Sequence, residues 1–240
     1  MALNFSLDSL LEQSLLTEDP WWVYILNGAW WTIGLTIAAF ALALLIGIIV
    51  GTLRTVPNKF VRGLCEAWIE LFRNIPLIVQ IFIWYFVVPE LVPWYKDWLI
   101  EVDPAVGQFV TAFICMGLFT SSRIAEQVRA GISSLPRGLP NAAKALGFTT
   151  VQAYVQVVLP MAMRLIVPPL TSESMNLVKN TAVAMTIGLP ELTMRANEMG
   201  ENTFTFFAAY LWATILYIII ALVVNQLMAW VEKKRVIPGF

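Results

Sequence analysis

Residues 20 to 53 carry no charged side chain, and within them the run from Trp30 to Leu53 is predominantly apolar. A helix rises about 1.5 Å per residue, so about 20 such residues cross a bilayer core about 30 Å thick. A run of this kind predicts a first membrane span. The composition agrees: 59% of the residues are hydrophobic and 13% charged, against roughly 45–50% and 25% in soluble domains. With 15 Lys plus Arg, 16 Asp plus Glu and a net charge of −1, the chain lacks the basic footprint of a nucleic-acid binder. Histidine is absent, which excludes Ser-His-Asp and Cys-His catalysis, His-ligated zinc and HExxH chemistry. No metal site is expected.

Four further spans are predicted. Residues 74 to 89 are uncharged but short, so the second span is expected to run back into the turns of Glu66, Glu70 and Arg73. Residues 104 to 122 form a third and 202 to 231 a fifth. The fourth, Leu165 to Pro190, contains Glu173 and Lys179. The fold class is therefore all-α, a polytopic membrane protein with five transmembrane helices.

Charge placement predicts the orientation. Arg54, Lys59 and Arg62 follow the first span, Arg123, Arg129, Arg137, Lys144 and Arg164 follow the third, and Lys233, Lys234 and Arg235 follow the fifth. The opposite loops hold only Lys96 and Arg195 as bases, with the acids Asp8, Glu12, Glu18, Asp19, Glu90, Asp97, Glu101, Asp103, Glu191, Glu198 and Glu201. Short cytoplasmic loops are enriched in Lys and Arg. The N-terminus is accordingly expected outside and the C-terminus inside, which an odd number of spans requires. The acidic start lacks the basic region of a signal peptide and is expected to be retained.

Trp21, Trp22, Trp30, Trp31, Trp94, Tyr95 and Trp98 fall on the outer side, where such rings anchor in the headgroup layer or could stack on a substrate. Residues 89 to 104, bounded by Pro89 and Pro104, are expected to lie flat as an interfacial helix. Cys65 and Cys115 stand in different spans and read as small buried apolar residues. No internal repeat is found, and five spans do not divide into the halves of an inverted-repeat transporter.

The longest inner loop runs from 136 to 160. Pro140 suits a helix start and Gly147 a helix cap, so Asn141 to Leu146 is predicted as a short helix. Ala142, Ala143 and Ala145 would offer a close-approach surface, with Arg137 and Lys144 as charge. A helix lying on the headgroups would have the same composition.

Asn141-Ala142-Ala143, Gly147, Val157 and Leu159-Pro160 stand at the spacing of the EAA loop, and the chain here resembles permeases of binding-protein-dependent ABC importers. The family's leading Glu is Asn141 and its Ile is Val157. Glu70-Leu71-Phe72-Arg73-Asn74-Ile75-Pro76-Leu77-Ile78-Val79-Gln80 resembles the second-span signature of polar amino acid permeases. Glu126 to Gly131, Leu135 to Gly138, Val167 to Leu170, Leu177 to Thr181 and Ile187 to Leu192 follow in the family's order. Arg54 to Asn58, Thr171 to Glu173 and Asn176 to Asn180 are most similar to the glutamate/aspartate branch. The resemblance implies a type I ABC importer permease fold in a bacterial inner membrane: a periplasmic segment at 1–28, a permease domain at 29–237 with the coupling loop at 136–160, and a cytoplasmic tail at 238–240. It also implies a second permease subunit, homodimeric or heterodimeric with the heterodimer favoured, two cytoplasmic ATPase subunits, a periplasmic solute-binding protein and membrane lipid. The chain has no GxxxxGK[ST] phosphate loop, so no cofactor is expected on it and ATP with Mg would sit in the partner ATPase. Asn141, Ala142, Ala143, Lys144 and Gly147 would form the ATPase-coupling element.

Ionisable residues at membrane depth are expensive and face a cavity or a partner. At 100° per residue Glu173, Asn176, Asn180, Val183 and Ile187 share one stripe, with Lys179 at its margin. Six residues separate Glu173 from Lys179, too far for an intrahelical pair. One reading has Lys179 receive a substrate carboxylate, with Asn176 and Asn180 beside it and Glu173 near the inner mouth. The other pairs Lys179 with a second subunit and leaves Glu173 among the headgroups. Glu66, Glu70 and Arg73 have the spacing of an intrahelical ion pair at the inner boundary, or of a gate to the basic loop residues. Glutamine, arginine or histidine are alternative solutes, and an ion-driven secondary transporter is an alternative class. An intramembrane enzyme lacks a convergent nucleophile and base.

Overall fold

A computed structural model of the chain describes residues 8–11, 14, 16, 19–136 and 138–233. Glu12, Glu18, Arg137, Lys234, Arg235 and the 238–240 tail lie outside the described residues. After a single turn at Asp8–Leu11, the helices are α1 (Trp21–Leu53), α2 (Lys59–Asn74), α3 (Leu77–Leu91), α4 (Pro93–Glu101), α5 (Pro104–Ser133), α6 (Leu139–Ala145), α7 (Thr150–Ile187), α8 (Leu192–Thr203) and α9 (Phe206–Lys233). Four of these, α1, α5, α7 and α9, are long and apolar enough to cross a membrane, and the bent pair α2 with α3 makes a fifth if taken together.

The second span is thus corrected. Ile75 is extended (φ −93°, ψ 128°), so the helix carrying Glu66, Glu70 and Arg73 stops before Pro76 and another starts at Leu77. The proline ring disfavours a helical residue before it. The ends of the other spans also shift. The third continues past Ser122 to Ser133, so Arg123 and Arg129 are helical rather than in a loop. The fourth begins at Thr150 and takes in Arg164, and the first begins at Trp21. Trp21 is 1% exposed, a packed residue rather than an interfacial anchor, whereas Trp30 and Trp94 are 72% and 73% exposed. Cys65 and Cys115 are buried free thiols, as anticipated.

Two π turns have a common cause. Ile83–Val87 and Tyr154–Val158 each end two residues before a proline, Pro89 and Pro160. Proline donates no hydrogen bond and clashes with the carbonyl four residues back. A widened turn, with Val88 N bonded to Ile83 O and Leu159 N to Tyr154 O, relieves both helices without breaking them.

The chain divides into two compact units: Met1–Ala39, Leu77–Met116 and Asn176–Val223, and Phe40–Pro76, Gly117–Met175 and Val224–Phe240. In the second, Ile124, Val128 and Ile132 of α5 and Val158, Ala162, Ile166 and Leu170 of α7 recur every four residues and are buried together with Ala43 of α1. Steps of four place these side chains on one ridge of each helix. Lipid is as apolar as these side chains, so close packing rather than water exclusion holds the seam. In the first unit, Leu35 and Ala39 of α1, Ala112, Cys115 and Met116 of α5, and Leu192, Ala196 and Met199 of α8 are buried. There α4 is held by Tyr95, whose hydroxyl lies 2.7 Å from Thr111 Oγ1 and whose ring stacks on Trp98.

Candidate functional site

In the second unit, α6 begins at Leu139 with Pro140 in its first turn, where the missing donor costs nothing. It ends in a Schellman motif: Phe148 N donates to Ala143 O at 3.2 Å and Gly147 N to Lys144 O at 2.9 Å. Gly147 has φ +92°, the left-handed conformation this cap demands and glycine adopts freely. Thr149 then opens α7 through a capping box, its Oγ1 accepting from Gln152 N while Gln152 Oε1 accepts from Thr149 N. The helix predicted at 141–146 is present one to two residues earlier. Its face differs from expectation at one position: Ala143 is 4% exposed and packs inward, while Asn141, Ala142, Lys144 and Gly147 face out, joined by Leu146 at 80% exposure. The i,i+4 step from Leu139 to Ala143 turns both side chains to one inner face.

The same unit contains an ionic network that spacing alone did not reveal. Arg54, just past α1, bonds Glu126 of α5 and lies 3.5 Å from Glu66 of α2. Glu126 also accepts from Arg129 Nε at 3.0 Å, and Arg62 Nε lies 3.8 Å from Glu66. The pair expected between Glu70 and Arg73 is not formed among the described residues. Both face outward, where an ion pair gains little. Glu173 is 7% exposed and accepts from Arg123 Nε at 2.8 Å and Nη2 at 3.2 Å, a two-pronged bond from α7 to α5. Its charge is compensated within the chain, without a substrate.

Asn176, Lys179 and Asn180 belong to the first unit. Lys179 is exposed and makes no ion pair among the described residues; Asn176 and Asn180 are half-buried. Directly after them α7 tightens into a 3₁₀ helix over Thr181–Ile187, with Thr181 Oγ1 donating to Val178 O at 2.7 Å. Three residues per turn instead of 3.6 keep Val183 on the stripe of Asn180 but carry Ile187 off it by about 120°. The five-residue stripe is corrected accordingly: Ile187 is 4% exposed and packs inside. Gly188, at φ +87°, closes the helix, and a Cβ there would come within 2.8 Å of the Gln108 side chain.

Two further clusters lie in this unit. Glu191, 0% exposed, caps α8 by accepting from Met194 N at 2.8 Å. Its other oxygen accepts from Tyr217 of α9 at 2.6 Å, and Leu192 N donates to Thr32 of α1 at 3.2 Å. Burial pushes its carboxyl above the usual carboxylate value, opposed by these hydrogen bonds. Arg195 lies over the Tyr24 ring at 4.1 Å and donates to Glu198 at 3.0 Å, and the Tyr24 hydroxyl donates to Glu198 at 2.6 Å. Glu191 and Arg195, expected as loop charges, instead cap and enter α8. The signal available was the acid ahead of Leu192, a helix N-cap position favourable to negative charge. No group of residues suited to a metal occurs among the described residues.

Residues 43–237 match the family model described as the binding-protein-dependent transport system inner membrane component. The chain is 44% identical, over all of its length and 98% of the relative's, to the glutamate/aspartate import permease protein GltJ of Escherichia coli (strain K12). It is 27% identical to the glutamate/aspartate import permease protein GltK of Escherichia coli O6:H1 (strain CFT073), over 88% of this chain and 93% of that one. Among solved structures, an amino acid ABC transporter crystallised with histidines superposes with a TM-score of 0.73 at 24% identity, covering 89% of this chain and 95% of the other. The apolar helices, the α6 elbow and this family match agree: the chain is a multi-pass membrane protein that belongs to the inner membrane components of binding-protein-dependent transport systems.

Proposed function

We propose that this chain is the transmembrane permease subunit of an ATP-driven importer that moves glutamate and aspartate from a periplasmic binding protein into the cytoplasm by alternating access. The observation that carries the reading is the 44% identity to GltJ across the whole chain. The N-terminus lies outside and the C-terminus inside, which puts the basic ends of α1 and α5, and α6, in the cytoplasm. The chain is not an enzyme. ATP and Mg belong to two ATPase subunits, whose closure displaces α6 through Asn141, Ala142, Lys144 and Gly147, with Ala143 as the inner anchor. The second permease subunit is GltK-like and the pair heterodimeric, a reading supported by the similarity to two differently named glutamate/aspartate permeases.

In the solute path, Lys179, in no ion pair among the described residues, offers its ammonium to a substrate carboxylate, with Asn176 and Asn180 as hydrogen-bonding neighbours. Glu173, neutralised by Arg123, ties α7 to α5 rather than meeting the solute's charge. Glu70 and Arg73, exposed and in no ion pair among the described residues, are available for a gate contact. The test is uptake of radiolabelled glutamate by cells carrying the full transporter, with unlabelled competitors. Strong competition by aspartate and weak competition by glutamine, arginine and histidine is expected; strong competition by glutamine or arginine alone would reassign the solute.

A further inference from the structure

Between α6 and the long helix it must move there is no slack. The Schellman bonds that end α6 lead through Gly147 and Phe148 directly into the Thr149 capping box. The first compliant point is the π turn Tyr154–Val158, since widened turns are where helices bend. A side-chain tie at that turn decides whether a push on α6 bends α7 or reaches the neighbouring helices. Tyr154, its first residue, provides one: the hydroxyl donates to Thr55 O at 3.1 Å. Thr55 lies two residues past the end of α1, its own Oγ1 donating to Thr52 O at 2.7 Å. The preceding residue, Arg54, bonds Glu126 of α5 and approaches Glu66 of α2 at 3.5 Å, and Glu126 is also held by Arg129. All these contacts lie within the second unit.

We propose that the Tyr154 hydroxyl is a positioning group that transmits displacement of the α6 elbow to the end of α1 and, through Arg54, to α2 and α5. The proposal rests on the import reading. Without the tie, part of each stroke is absorbed as bending at the π turn, and ATP is hydrolysed without a completed transport step. Tyr154→Phe keeps the ring and removes the donor, so it tests the tie without opening a cavity.

The permease, copurified with its ATPase subunits and second permease, is placed in proteoliposomes with the binding protein, and ATP hydrolysis and radiolabelled glutamate uptake are measured in parallel. The expected result is a rise of about two- to tenfold in ATP consumed per glutamate imported, the range set by one neutral hydrogen bond, with subunit assembly and hydrolysis rate retained. An unchanged ratio overturns the proposal, and so does an equal fall in both rates, which marks a merely structural loss. Absence of ATP-dependent uptake in the unsubstituted assembly overturns the import reading and the strut with it, whereas an unaltered ratio in Tyr154→Phe leaves the import reading standing.

Discussion

Replacing Arg123 with methionine strands a buried carboxylate. The Glu173 side chain is 9% exposed and that of Arg123 42%. Breaking a fully buried pair costs about 3–5 kcal/mol, and an exposed pair is worth about 0–1 kcal/mol. With one end buried and the other near the surface, about 2 kcal/mol is expected for Arg123→Met. Glu173→Met costs less, because a half-exposed guanidinium finds other partners. For a chain of this size about 2–4 °C of Tm accompanies each kcal/mol, so Arg123→Met is expected to lower the unfolding temperature by about 4–8 °C. The double variant Arg123→Met/Glu173→Met removes both charges and is expected to recover most of that loss, since apolar replacement of a buried pair is often neutral. The assay is thermal unfolding of the purified protein in detergent, followed by tryptophan fluorescence, for all four corners of the cycle. A double variant whose loss equals the sum of the single losses would refute the pairing.

Three other outcomes follow from the geometry. Gly147→Asp puts a side chain at φ +92°, at a cost of about 1–2 kcal/mol, and is expected to loosen the elbow and uncouple ATP hydrolysis from uptake; full coupling would contradict the lever. Lys179→Met is expected to weaken glutamate transport by raising KM about tenfold or more, the loss of one charge-assisted hydrogen bond, and near-normal uptake with unchanged affinity would remove it from the solute path. The carboxyl of Glu191 is raised by burial, so its contribution to stability is complete below the usual carboxylate pKa of about 4.3 and is lost as pH rises through the raised value. Glu191→Gln abolishes that titration, so the Tm difference, variant minus parent, should grow between pH 4 and 8; a difference independent of pH would show that burial does not perturb this group.

Apolar runs made the spans legible because lipid demands about 20 consecutive apolar residues, a local and additive requirement. The short α6 was legible for a similar reason, since Pro140 and Gly147 act on the backbone where they stand. The ends of α5 and α7 were not, because a charge ends the apolar run without ending the helix, and Arg123, Arg129 and Arg164 are good helix formers. The break at Pro76 had a local signal in Ile75-Pro76, but the uncharged run from 74 to 89 is too short to cross a bilayer alone and so points to a longer helix than the proline allows. Partner choice was illegible: Arg123 meets Glu173 50 residues away and Arg54 meets Glu126 72 away, distances over which only packing sets the phase of two helices. Glu66 illustrates the consequence: Arg62, one turn earlier in the same helix, lies 3.8 Å from it, yet Arg54 from outside the helix approaches closer, at 3.5 Å. The 3₁₀ segment after Asn180 shifted Ile187 off the polar stripe for the same kind of reason, a change of period that hydropathy does not announce.

The proposed drive for solute movement through this chain is ATP hydrolysed by another subunit. It is tested most directly by glutamate uptake into proteoliposomes that hold the purified permease assembly and ATPase, with binding protein supplied outside and either ATP or only an ion gradient provided. Uptake that requires ATP at the ATPase side and the binding protein outside, and persists when ion gradients are collapsed, is the result predicted. Uptake driven by an ion gradient without ATP would contradict the account.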